Sequence, residues 1–102
     1  MPVAPKEVRD AARRALAARD RVPPSRKAGT LVGLARANQL ADGENITEAT
    51  LLRMHSYLSR AESDYKQARA KGLDLETSKA IQAYYLWGGP AALAWVRREL
   101  NK

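Results

Sequence analysis

A heptad stripe sets the strongest limit on what this chain can fold into. Leu51, Met54, Leu58, Ala61, Tyr65 and Ala68 recur at spacings of 3, 4, 3, 4 and 3. That rhythm keeps one side of an α-helix apolar. Thr47 is placed to cap this helix, with Ile46 and Leu51 at the two positions of a hydrophobic staple, and Gly72 is placed to end it. The predicted helix has about 24 residues and a length of roughly 36 Å. It is expected to be the spine against which the remaining elements pack, within one chain rather than as a self-associating pair.

Three shorter helical segments and an N-terminal one surround it, and nothing reads as a strand. Pro5 to Arg21 carries Val8, Ala11, Ala12, Ala15 and Ala18 on one side, with Leu16 at the flank. Pro5 suits a first-turn position, and Pro24 forces Pro23 out of the helical region. Thr30 is a candidate N-cap for a helix from about Leu31 to Ala41, closed by Gly43. Gly33 inside that helix is disfavoured by about 1 kcal/mol relative to alanine, which points to another backbone close by. Asp74 or Thr77 is expected to open a fourth helix that runs to about Trp87, with Ile81, Tyr84 and Tyr85 as its bulk. Gly88-Gly89-Pro90 then reads as a stop and restart, leading into a last helix from Pro90 to about Leu100.

The expected fold is therefore all-α: residues 1–102 form a single small domain of about five helices around a long central one. The core is thin. The chain has nineteen alanines, no phenylalanine and six aromatic residues. An alanine face buries little area, so residues 1–24 are a candidate basic N-terminal helical arm rather than a core element. At 45% hydrophobic residues the chain is too apolar to be disordered by composition. No apolar run approaches the roughly 18–20 residues of a membrane span, so no membrane partner is expected. The N-terminus lacks the apolar segment of a signal peptide, and the protein is expected not to be secreted. The absence of cysteine removes disulfides, thiol catalysis and cysteine-based zinc sites.

The net charge is +7, and it is unevenly placed. Residues 1–36 hold nine Lys/Arg against Glu7, Asp10 and Asp20, whereas residues 37–102 hold nine against eight. A block of one sign steers a chain toward an acidic partner. Arg9, Arg13, Arg14, Arg21, Arg26 and Lys27 form the candidate basic binding face. Non-specific contact with nucleic-acid phosphates and a plain solvated face stand level for it. Tyr84, Tyr85, Trp87 and Trp95 fall within twelve residues. They read as the bulk that an alanine-rich core needs, with an aromatic docking surface as the alternative.

Chemistry has little to work with. His55 is the lone histidine, and Ser56 beside it points about 100° away on a helix. A boundary histidine is the simpler reading, and no metal site can be built from one histidine without cysteine. Asp42, Glu44 and Glu48 lack the alternating oxygen ligands of a calcium loop. Asn45-Ile46-Thr47 matches a glycosylation acceptor, but without a secretory signal the match is chance. There is no phosphate-cradling glycine loop and no paired acid and base. Catalytic residues, metals and cofactors are all expected to be none. A helix-turn-helix over the second and third helices is opposed by the long Asp42–Thr47 connection. Glu48 at the would-be recognition end opposes it as well.

One resemblance goes further. The run Gly29-Thr30-Leu31-Val32-Gly33-Leu34-Ala35-Arg36-Ala37, then Leu40, Gly43, Thr50, Arg53-Met54, Ser56-Tyr57 and Arg60, is the first part of it. Trp87-Gly88-Gly89 and Trp95 complete it. Together they resemble a family of small tailed-bacteriophage proteins over about residues 9–98. That family carries a histidine-acidic segment and a glycine-rich insert after the position of Arg60, where this chain has Ala61-Glu62-Ser63-Asp64. The resemblance implies no catalytic residues. Some members of that family sit beside, or are fused to, phage head-maturation proteins, which implies a protein partner in the capsid or elsewhere in the virion and a location in the virion or host cytoplasm. The expected function is a non-enzymatic bacteriophage binding protein, virion-associated or acting in head assembly. The alternatives are a nucleic-acid-binding protein using the basic N-terminal helix, or a phage-encoded inhibitor of a host protein. An oligomer is compatible with each.

Overall fold

The computed structural model describes residues 2–102 and contains five α-helices. They are α1 (Lys6–Arg21), α2 (Leu31–Ala41), α3 (Glu48–Ala70), α4 (Lys79–Leu86) and α5 (Pro90–Leu100), with a 3-10 turn at Pro24–Arg26. No strand occurs among the described residues; one isolated bridge joins Val3 to Asn45. Local chemistry sets the helix ends. Thr30 Oγ1 accepts from the Gly33 amide and Thr47 Oγ1 from the Thr50 amide, both at 3.2 Å. The staple is in place, with Ile46 and Leu51 buried. At its C-terminus α2 closes with Gly43 N–H to Leu40 O and Glu44 N–H to Gln39 O, the paired bonds of a Schellman motif.

The start of α4 differs from expectation. Asp74 and Thr77 make a self-contained turn: Asp74 Oδ1 accepts from the Glu76 and Thr77 amides, and Thr77 Oγ1 accepts from the Asp74 amide. With those groups bonded to each other, Ser78 is left to cap the helix through the Ile81 amide at 3.2 Å.

The centre of the fold is the shortest helix, not the longest. α4 packs on α1, α2 and α3, whereas α3 lies mainly on α4 and α5. Ile81, Gln82, Tyr84, Tyr85 and Leu86 are all buried. At 3.6 residues per turn they occupy more than half of the helix circumference, as a helix enclosed by neighbours requires. The heptad stripe of α3 does face inward within the chain. Leu51, Met54, Leu58 and Ala68 are buried, and Ala61 and Tyr65 are partly buried. It is an outer layer rather than the spine.

Nor is α1 an arm. It packs on α2, α4 and α5, and Val8, Ala12, Ala15 and Ala18 have no exposed surface. Small side chains allow the approach. A Cβ at Gly88 (φ +106°) would lie 2.7 Å from Val8 Cγ1, and one at Gly89 would lie 3.0 Å from Ala11 Cβ. The alanine face loses area but gains proximity, and dispersion rises steeply as atoms come into contact.

Gln82 ties the two long connections to this centre. Its side chain is 1% exposed; Oε1 accepts from the Ala28 amide at 2.7 Å, and Nε2 donates to Leu75 O at 3.0 Å. One amide thus satisfies a donor from the α1–α2 connection and an acceptor from the α3–α4 connection.

Candidate functional site

Six residues of the basic N-terminal region were expected to share a face, and the structure divides them. Arg13 Nη2 donates to Ala41 O at 2.8 Å, where it meets the negative end of the α2 dipole. Its Nη1 reaches Asp10 at 3.1 Å, and Lys6 bonds the same carboxylate at 2.6 Å. The Lys6 ammonium is the main reason that the Asp10 carboxyl is held below its usual range. Arg9 turns toward Gly43, and its Nε is buried without an acceptor. Arg14 lies on the other flank of α1, 5.5 Å from the Tyr85 ring centroid. Arg21 pairs with Glu76 at 2.9 Å. Lys27 donates to Arg19 O in the last turn of α1 at 2.6 Å, and Arg19 donates to Ala28 O at 2.9 Å. Arg26 stands exposed on the 3-10 turn.

Part of the charge excess therefore has an internal use. A cation that bonds a backbone carbonyl needs no carboxylate, so three such bonds leave the local balance positive. A cleft of about 260 Å³ lies between the end of α1 and the α3–α4 connection. Arg14, Arg21 and Arg69 line it with Asp74, Glu76 and Tyr85.

The aromatic docking surface is not there. Tyr84, Tyr85, Trp87 and Trp95 are all buried, at 8% exposure or less. They are the bulk of the core, for the reason the alanine content gives. Tyr65 stacks on Tyr84 at 4.4 Å and 11°. Burial raises the Tyr84 hydroxyl to about 12, with Glu62 and Tyr65 adding to the effect. α2 and α3 each pack chiefly on other helices, so they do not form the closed pair of a helix-turn-helix. Gly33 faces the indole of Trp87, not a backbone; a Cβ would sit 3.4 Å from Nε1.

That indole belongs to a cluster that charge counting does not find. Tyr57 of α3 stacks on Trp87 at 4.7 Å and 16°, and the Arg36 guanidinium of α2 lies 5.4 Å from the Trp87 centroid. Arg36 is 8% exposed. Its Nη1 bonds the Gln39 side-chain oxygen, and its Nε has no acceptor. Neither Arg36 nor Arg53 takes part in an ion pair among the described residues. Burial lowers the Arg36 pKa, and the nearby Arg53 lowers it further. The sequence did carry a signal for this residue. Gly33, Arg36, Ala37 and Leu40 are spaced i, i+3, i+4, i+7, which puts a guanidinium on the inward stripe of α2.

No three His, Asp or Glu side chains converge as a metal site would need, among the described residues. None of the described helices is long and apolar enough to cross a membrane. Compared with protein-family models, curated proteins and solved structures, the chain matches none.

Proposed function

We propose that this chain is a non-enzymatic binding protein that engages an acidic surface on a protein partner. The setting is the one implied by its resemblance to tailed-bacteriophage proteins: virion-associated, or acting in head assembly. One observation carries the choice of a protein over nucleic acid. Of the six basic-face residues, Arg13, Arg14, Arg21 and Lys27 are engaged within the chain, with Arg13 on one flank of α1, Arg14 and Arg21 on another, and Lys27 on the turn beyond it. A surface that follows a phosphate backbone needs cations in a continuous row. Isolated charges beside apolar surface suit a protein partner, where they set approach and register. The cleft edged by Arg14, Arg21 and Arg69 favours nucleic acid as the second reading.

A salt titration on random duplex DNA separates the two. The expected result is no measurable affinity at about 50 mM salt. Micromolar affinity that collapses when Arg14, Arg21 and Arg26 are replaced together by Gln would instead establish the nucleic-acid reading. Mass spectrometry of purified phage particles tests the setting. Absence of the chain from particles, while it is abundant in infected cells, would move the proposal to a host-directed inhibitor.

A further inference from the structure

We propose that Arg36 and Arg53, with the exposed Val32 one turn before Arg36 on α2, form a docking surface for a partner segment that presents a carboxylate beside aliphatic side chains. The inference rests on the acidic-partner reading and names where on this chain that partner sits.

A charge removed from water is ordinarily matched by a counter-charge and a full set of hydrogen bonds. Arg36 has neither. The residue is 8% exposed, its only hydrogen bond is to the neutral side chain of Gln39, and its Nε is buried without an acceptor. The charge of Arg53, exposed on α3, acts on it in the same sense as burial and lowers its pKa further. Neither arginine has a carboxylate partner among the described residues, and an incoming carboxylate would supply the counter-charge that Arg36 lacks. The support beneath is rigid, because Arg36 lies on the Trp87 ring and Trp87 is stacked on Tyr57. Such pre-organisation lowers the ordering cost of binding.

The surroundings select the class of partner. Leu31 is 86% exposed and Val32 52%, two of only four large apolar side chains that stand exposed among the described residues. Val32 is one helical turn before Arg36, so the two are neighbours on the α2 surface. A phosphodiester chain has no use for that aliphatic edge and would want more than two cations. A peptide with an acidic residue beside leucine or valine uses both parts.

The test is a ¹⁵N NMR titration of the full chain with the capped peptide acetyl-Glu-Leu-Glu-Leu-amide, and with its Gln-for-Glu counterpart as control. The acidic peptide should move the Trp87 indole N–H and the Arg36 Nε–H signals at millimolar concentration, and the control should not. Arg53→Glu, at an exposed position, should weaken binding by about tenfold or more. Arg36→Met keeps the unbranched stem and removes an unmatched buried charge. It should abolish peptide binding while the protein melts at the same temperature or higher.

Other results overturn the proposal in distinguishable ways. Equal shifts from the Gln peptide would remove the role of charge. Shifts centred on Arg14 and Arg21 would keep the acidic-partner reading and remove this site. Duplex DNA moving the Arg36 signal where the peptide does not would remove both. Concentration-dependent shifts at Leu31 and Val32 without peptide would make a second copy the occupant. Arg36→Met with lowered melting and retained binding would make Arg36 a purely structural residue.

Discussion

Replacing Gln82 by Leu keeps the size of the side chain and removes both of its polar contacts. The Ala28 amide loses an acceptor at 2.7 Å, and Leu75 O loses a donor at 3.0 Å. Each buried polar group left unmatched costs about 1–3 kcal/mol, so the pair costs roughly 2–6 kcal/mol. Partial access of water to the Leu75 carbonyl and the added apolar surface of leucine offset part of this. The expected net loss is about 2–4 kcal/mol, a large share of the roughly 5–15 kcal/mol that holds a domain together. Urea denaturation should show it as a lower midpoint with an unchanged slope. Hydrogen exchange supplies the local readout. The Ala28 amide should be protected in the parent chain and exchange far faster in Gln82→Leu. A loss below about 0.5 kcal/mol, with Ala28 still protected, would show that the clasp contributes nothing beyond packing.

Two further outcomes follow from the same structure. Leu58 has no exposed surface at the middle of the α3 stripe, so Leu58→Ala should cost about 2–4 kcal/mol in denaturant melts; less than 1 kcal/mol would mean the stripe is poorly packed. Asp74 is held below its ordinary value of 3.8, first by the Glu76 amide and then by the Thr77 hydroxyl. Its stabilisation is therefore complete above pH 3.8 and fades as pH falls through the lower folded value. The melting difference between the parent chain and Asp74→Asn should be flat near neutrality and shrink in acid, and a difference independent of pH would contradict the turn.

What could be read from the sequence was mostly local. The caps at Thr30 and Thr47, the closures at Gly43 and Gly72, and the Pro90 restart each depend on residues a few positions apart, and the structure has them in place. The depth of each helix was harder, because depth depends on every neighbour at once. α3 has the clearest period and lies on the outside, since a clean stripe is the mark of a helix with one wet face. α4 shows little period because it is enclosed, and its short length made it look subsidiary. The aromatic residues were legible as core from the alanine count. The basic face was not, because charge counting cannot tell an arginine that meets solvent from one that closes a carbonyl 28 residues away, as Arg13 does. Arg36 breaks the otherwise apolar stripe of Gly33, Ala37 and Leu40, a signal that a count of charges passes over.

The seating of α1 on the Gly88-Gly89 turn sets a schedule for biosynthesis. α1 is made before the other four helices, and α2 follows it closely, but the α4 part of the surface that receives it is complete only some 65 residues later, from Arg21 to Leu86. At roughly 5–20 residues per second, the nascent helix waits several seconds for the rest of its seat. A leucine face kept waiting in that way would be a hazard for aggregation. Alanine methyls present far less surface to other unfinished chains, and still close tightly once glycine arrives. The residue choice that makes this helix look weak in isolation suits an element that is made early and whose seat is completed late.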